Sequence, residues 1–348
     1  MRIGIDARLS GSKHAGIGRY TENLITELLK NTSRDTYVCF FNDQEQAQSV
    51  LKSQLENKNV SVVLTPVRHY TVAEQLQLPK LFSAHNLDLL HVPHFNIPIL
   101  YTGKLIVTIH DLLWHEYKGG SVTTLSPIKY LFKYFFYRLV TRLAVTKAQK
   151  ILVPAQTIKD TVIRFYPKTA DKIVITKEGA HIANPKQLTD VPKRRKTLLY
   201  VGSLYPHKNV KLILQALPSL PNYKLLIVGS RNIFQERIQA YSKYKNIEER
   251  VEFLGYVPDS ELAELYQSVS ALVQPSFSEG FGLTGVEAMS FGASILASDI
   301  PIFKEIYQDV AYYFSPHSVA SFIQAVHAFE QSADDKNKEG IKLAKTYN

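Results

Sequence analysis

Short β-branched runs alternate with helix-patterned stretches almost from the first residue, and the series is written twice. The first series reads RIGID, TYVCFF, VSVVL, DLLHV, KLIVTIH, KILVP and KIVIT, with helical patterns between most of its members. Alternation of this kind predicts βαβ units and a parallel sheet. The helix expected after RIGID carries Tyr20, Leu24, Ile25, Leu28 and Leu29 on one stripe at 3.6-residue spacing, so it should lie against that sheet.

The pattern lapses after Glu178 into GAHIANPKQLTDVPKRRK, whose two prolines and basic run read as an exposed linker. It restarts with TLLYVGS, KLLIVGS, VEFLG, ALVQP and SILAS, followed by a closing helical region. The expected fold class is therefore α/β, with two Rossmann-like doubly wound domains at 1–178 and 197–348 joined by a linker at 179–196. A length of 348 residues agrees with two domains at roughly 150 residues each. Ligands of open parallel sheets bind outside the carboxyl ends of the strands, so a cleft between the two sets of loops is expected.

Composition narrows the class. A hydrophobic fraction of 45% with 21% charged residues belongs to a soluble globular protein. No apolar run approaches the ~20 residues that cross a bilayer, and MRIGIDARLS lacks the apolar block of a signal peptide. With its single cysteine, Cys39, the chain is expected in the cytoplasm. Residues 101–200 hold 18 Lys/Arg against 6 Asp/Glu, while the whole chain carries a net charge of +10. That basic middle suggests a phosphate-rich ligand or an anionic membrane surface; no nucleic-acid-binding module accompanies it.

Ser126–Lys150, SPIKYLFKYFFYRLVTRLAVTKAQK, concentrates the charge among aromatics. Its aromatics fall all round the helical wheel, so two readings stand side by side: a helix at the inner face of an anionic membrane, which we favour, and a buried helix with snorkelling bases.

The chemistry concentrates in FSEGFGLTGVEAMSFG, Phe277–Gly292. Glu279 falls in the loop after ALVQP, the next helix should begin near Gly282 or Leu283, and Glu287 lies on its second turn. Glycines let the backbone approach a ligand, and the unpaired N–H groups of a first helical turn suit phosphate or sugar oxygens. An acid accepts hydrogen bonds from hydroxyls beside that phosphate, so the spacing suits a nucleotide sugar. Elsewhere, Lys208 follows a strand of the second series, Gly16, Gly18 and Arg19 lie in AGIGRY between the first strand and its helix, and His110 ends KLIVTIH.

The ordered segments MRIGIDARLSGSKHAGIGRYTENL, HVPHFNIPI, VTIHDLLWHEY, VPAQTIKDTVIRFYP, LYVGSLYPHKN, EGFGLTGVEAMSFG and IFKEIYQDVAYYFSP resemble family 4 of the retaining glycosyltransferases, which have the GT-B fold, over nearly the whole chain. Glu279 and Glu287 match the family's Glu-x7-Glu motif. The resemblance implies that Glu287 holds the nucleotide ribose and that Glu279, with the backbone of Gly280, Phe281 and Gly282, contacts the donor sugar. It also implies that the helix start at Leu283 and Thr284, with Lys208, takes the diphosphate. Ser203 stands where many relatives carry an arginine, and His207 where the most similar subgroup often does. Gly16, Gly18 and Arg19 match a loop facing the diphosphate and acceptor, and His110 matches a histidine beside the donor sugar that helps by positioning or charge.

Retention is implied, with the acceptor hydroxyl attacking from the face that the leaving phosphate vacates and a phosphate oxygen taking its proton. No glycosidase-like nucleophile and base pair is evident; Glu279 is the remaining candidate for one. No Asp-x-Asp occurs, and no metal or cofactor is expected. LYVGSLYPHKN and GIGRY look most like mannosyltransferase-type members, making GDP-mannose the first expected donor and UDP-sugars the next, with a glycan or lipid-linked acceptor. The alternatives are a nucleotide-sugar epimerase of the same fold and an inactive glycan- or partner-binding relative. Family members continue beyond LAKTYN with an aromatic segment and a last helix; from that pattern, a truncated sequence or more loosely joined domains are expected.

Overall fold

The computed structural model describes residues 1–11, 14–30, 34–119, 126–180, 191–192, 194–229, 233–332 and 335–347. The chain divides into two compact units, Met1–His115 with Ser126–Glu178, and Glu116–Leu125 with Gly179–Asn348. The stretch after His115 thus groups with the second unit, where the Tyr117 hydroxyl donates to the Phe277 carbonyl at 3.0 Å.

The first unit is built on a seven-stranded parallel sheet of β1 (Arg2–Asp6), β2 (Thr36–Phe41), β3 (Val60–Leu64), β4 (Leu89–Val92), β5 (Leu105–Thr108), β6 (Lys150–Val153) and β7 (Ile173–Ile175), in the order β3-β2-β1-β4-β5-β6-β7. Burial on both faces explains why these strands read as continuous apolar runs: Val38, Cys39, Phe40 and Phe41 of β2 are all sealed from solvent. The helix Ala15–Lys30 seats Ile25 and Leu29 in the same cluster as Ile5 and Cys39, with Leu28 packed at its edge.

AGIGRY is not the connection from β1 to this helix. Ala15–Tyr20 forms the helix's first turns, and the connection lies before it. Gly18 is there because the loop folds tightly over it: Gly11 N donates to Gly18 O at 3.2 Å, and any Cβ on Gly18 would overlap the Gly11 carbonyl. Gly16 faces open space.

The second unit holds a six-stranded parallel sheet of β8 (Arg194–Val201), β9 (Lys224–Val228), β10 (Val251–Gly255), β11 (Val269–Gln274), β12 (Ser294–Ser298) and β13 (Tyr312–Phe314), in the order β10-β9-β8-β11-β12-β13. β13 falls in the region read as a closing helical one; three residues are too few to display a two-residue period. β8 begins at Arg194, so the last three residues of the expected linker are strand, while 181–190 and 193 lie outside the described residues.

The basic helix runs Pro127–Lys147, and Lys150 opens β6 instead. Its aromatic girdle resolves into two stripes. Tyr130, Tyr134 and Tyr137 turn inward, two of them against Trp114, while Ile128, Leu131, Phe132, Phe135 and Phe136 are 57% to 71% exposed. The exposed set follows the i, i+3, i+4, i+7, i+8 spacing of a single face. The buried-helix reading is therefore wrong for the first half of this helix.

Candidate functional site

Each sheet reverses its strand order once beside its first strand, β1 against β4 in the first unit and β8 against β11 in the second. At such a point adjacent loops diverge to opposite faces and leave a crevice. Lys208 and Glu279 follow the two strands at the reversal of the second sheet, and His110 follows β5, the neighbour of β4 in the first.

In the second unit, β8 leads to Lys208 and β11 to Glu279. Lys208 Nζ donates to Glu279 Oε2 at 2.6 Å, and Ser276 Oγ donates to Oε1 at 2.7 Å. Burial favours the neutral carboxyl, but the Lys208 charge and the two hydrogen bonds outweigh it and hold Glu279 below the usual carboxylate range. Glu279 is thus an anion, and Lys208 spends one of its three N–H donors on it.

The frame around this pair is made of backbone contacts. Phe277 N donates to His207 O at 2.8 Å, and Asn209 Nδ2 bridges the Pro275 and Pro316 carbonyls at 3.0 and 2.8 Å. Asn209 itself adopts a left-handed conformation at φ 54°, which asparagine tolerates better than most residues. The position is visible in the sequence as the residue after Lys208, yet only the structure gives it a role. Ser203 presents its carbonyl to the buried Tyr200 hydroxyl, and His207 is buried with its ring stacked beside Tyr205.

The helix Leu283–Ser290 starts where expected, with Gly282 as N-cap at φ 94°. Gly282 has no side chain to occupy the first turn's N–H groups, which leaves the turn suited to an anion. A Cβ on Gly282 or Gly285 would overlap the Tyr307 hydroxyl, which donates to Gly282 O at 2.7 Å and also reaches Gln274. Gln274 in turn donates to Thr284 Oγ1 at 2.7 Å, tying the end of β11 to the helix start. Phe281 is buried edge-on against Tyr347, at 5.5 Å between ring centres. Glu287 is buried on the second turn, and the Tyr266 hydroxyl donates to its Oε2 at 3.3 Å. Gln274, Tyr307 and Tyr347 were not legible as site supports, because none belongs to a charged or glycine-rich pattern.

In the first unit, His110 follows β5. Its Nδ1 faces Glu178 Oε1 at 2.7 Å and its Nε2 faces the Pro93 carbonyl at 3.1 Å, with Tyr20 edge-on at 4.6 Å between ring centres. Burial favours the neutral ring, but the Glu178 hydrogen bond and charge outweigh it and raise the His110 pKa. Beside it, Thr108 Oγ1 links the Tyr20 hydroxyl at 3.2 Å to His91 Nε2 at 2.9 Å. Burial pushes His91 down to about 4 and His94 down to about 3, so both are neutral at physiological pH.

Arg8 anchors the turn after β1. Fully buried, it reaches Asp6 at 2.7 Å, Glu74 at 2.8 Å and the Val67 carbonyl at 3.0 Å. Burial favours the neutral Glu74 carboxyl, but the His69 contact, Arg8 and Asn96 together hold it below the usual carboxylate range. Gly16, Gly18 and Arg19 sit on the first turns of the following helix. Glu178 and Arg8 were missed by the sequence reading, because a lone acid before Gly179 and an arginine after a strand carry no spacing signal.

Similarity to known proteins gives the family and the fold. Residues 14–182 match the family model described as Glycosyltransferase Family 4, and residues 183–345 match that of Glycosyl transferases group 1. The O-antigen chain mannosyltransferase RfbU of Salmonella typhimurium is 26% identical over 331 residues, covering 93% of this chain and 90% of that protein. The O-antigen chain mannosyltransferase B of Escherichia coli is 27% identical over 276 residues, covering 74% and 70%.

Among solved structures, Anabaena Alr3699/HepE in complex with UDP and glucose superimposes with a TM-score of 0.74 at 16% identity, covering 99% of this chain and 95% of that one. WaaG, a glycosyltransferase involved in lipopolysaccharide biosynthesis, gives 0.72 at 15%, covering 100% and 95%. These structures share the fold, and the two family models together span nearly the whole sequence. The chain belongs to glycosyltransferase family 4, as a mannosyltransferase-like member with the Rossmann-like pair of domains of the GT-B fold.

Proposed function

We propose that this glycosyltransferase moves a sugar from a nucleotide sugar to a hydroxyl of a growing cell-envelope glycan, with retention at the anomeric carbon and without a metal ion. The observation that carries the reading is the pairing of Lys208 with Glu279 beside an uncapped helix start, all at the strand reversal of the second sheet. A diphosphate there meets the remaining N–H donors of Lys208 and the first-turn N–H groups of Leu283 and Thr284.

In the step itself, the bond from the anomeric carbon to the phosphate oxygen breaks and its electron pair goes to the leaving diphosphate. Lys208 and the helix start stabilise the charge that develops there. The acceptor oxygen bonds to the same face of the anomeric carbon, and its proton passes to a phosphate oxygen. Glu279 and the backbone at Gly280–Gly282 hold sugar hydroxyls, Glu287 the ribose, and His110 a sugar oxygen. Ser203, Gly16, Gly18 and Arg19 line the donor's path in this reading.

GDP-mannose is the first donor to test, because RfbU and mannosyltransferase B are named as mannosyltransferases. UDP-sugars come next. We assign the enzyme to the cytoplasmic face of the membrane, working on a lipid-linked acceptor. The exposed stripe of Ile128, Leu131, Phe132, Phe135 and Phe136, flanked by exposed Lys129 and Lys133, supports docking on an anionic bilayer. Among the described residues no helix is long and apolar enough to cross a membrane.

The test is release of nucleoside diphosphate from GDP-mannose and a UDP-sugar panel, with and without a lipid-linked oligosaccharide. Transfer that requires the acceptor supports the proposal. Donor conversion without acceptor would instead indicate an epimerase, and no turnover an inactive relative. Docking is read by sedimentation with phosphatidylglycerol vesicles: the wild type should co-sediment, and Phe132→Ser/Phe135→Ser should not.

A further inference from the structure

His110 has an acceptor on each ring nitrogen, a carboxylate at Nδ1 and a backbone carbonyl at Nε2. A neutral imidazole carries one N–H and one lone pair, and would turn that lone pair on one of these oxygens. Against a carboxylate form of Glu178, only the doubly protonated ring satisfies both contacts. We infer that Glu178 is a positioning residue of the transfer reaction: it fixes His110 as an imidazolium with its plane set, so that the ring offers a donor, never a base, to the bound sugar nucleotide.

The groups around the ring leave this role to Glu178. Tyr20 packs its ring edge-on and commits its hydroxyl to Thr108. His91 and His94, on and just after β4, would each oppose a second positive charge and remain neutral. Asp111 favours the charge but accepts from Leu113 N at 3.0 Å to shape its own turn. Glu178 alone combines a 2.7 Å hydrogen bond with a full negative charge, and it is almost entirely buried. It also ends the first unit, since Gly179 begins the main segment of the second, Gly179–Asn348.

On sugar binding, Nε2–H can exchange the Pro93 carbonyl for a ligand oxygen while Nδ1–H stays on Glu178. An imidazolium has no lone pair to take the acceptor's proton. That assignment leaves the proton to the leaving phosphate, and it rests on the transferase reading given above.

The test follows His110 by NMR of histidine-labelled full-length protein, together with the pH profile of donor turnover. In the wild type the ring should be doubly protonated at pH 7. In Glu178→Gln its titration midpoint should fall by about 1–3 pH units, as expected when an opposite charge at contact is removed. The alkaline limb of kcat should move down by the same amount with KM for the donor changed less than kcat, and Glu178→Asp should restore most of both. A neutral His110 at pH 7 in the wild type overturns the inference, whether or not the variants fold. So does an unchanged midpoint in Glu178→Gln, or a loss of thermal stability with no movement of the pH profile. If the wild type turns over no donor, the transferase reading fails, while the titration still decides whether Glu178 holds the imidazolium.

Discussion

Both units place a cation against a glutamate at the carboxyl end of their sheet, but the cations differ in kind. A lysine ammonium ordinarily carries its charge without help from a neighbour, and Lys208 in the second unit keeps donors to spare beside its 2.6 Å contact with Glu279. The His110 pKa in the first unit is raised against burial chiefly by Glu178, 2.7 Å from it, and both of its nitrogens are already engaged. The second unit thus supplies a permanent charge suited to a diphosphate, and the first a conditional one suited to orienting a neutral hydroxyl. A permanent charge needs only exposure, whereas a conditional one needs a buried partner.

The largest test of this contrast is removal of the permanent charge. Lys208→Ala should lower donor turnover by about 10²–10³-fold, the range for losing one strong donor to a developing anion. The measurement is single-turnover release of nucleoside diphosphate; a loss below tenfold would transfer the role to the helix start. The next largest effect concerns that start. Gly282→Ala puts a side chain at φ 94° and into the Tyr307 hydroxyl, costing about 1–3 kcal/mol in backbone strain before any repacking. Thermal melts should show the lower stability, and Tyr307→Phe combined with Gly282→Ala should recover part of it.

The smallest effect distinguishes the two pairs by the sign of their pH dependence. The pKa of His110 is raised from 6.5, so its contribution to stability is complete below 6.5 and is lost as pH rises through the raised value. The pKa of Glu279 is lowered from 4.5, so its contribution is complete above 4.5 and is lost as pH falls through the lowered value. The destabilisation caused by His110→Gln should therefore fade on the alkaline side, and that caused by Glu279→Gln on the acid side. Melting temperatures across pH 3–10 read both; two curves fading on the same side would break the comparison.

The same asymmetry governed what the sequence disclosed. Doubly wound strands declare themselves as apolar runs, and Glu279, Glu287 and Lys208 lie in local patterns of fixed spacing, so the second unit's site was legible with the start of its helix. Glu178 lies 68 positions from the histidine it grips, and Glu74 lies 66 from Arg8. Such pairs are set by tertiary packing and leave no periodic trace. AGIGRY misled because Gly16 and Gly18 look like a turn; Gly18 is a glycine so that the preceding loop can cross over the helix, which is compatible with helical backbone. The aromatic helix misled because its two opposed stripes, tyrosines inward and Ile/Leu/Phe outward, cancel on a helical wheel.

In the proposed reaction the second unit grips a nucleotide sugar between Lys208 and Glu287. Calorimetric titration of GDP-mannose and a UDP-sugar panel into wild type and Glu287→Ala tests it most directly. Saturable binding of one donor is expected, weakened by about 10–100-fold in the variant, as for loss of hydrogen bonds to a charged acceptor. Equal affinity in a folded Glu287→Ala, or no binding of any donor to the wild type, would contradict it.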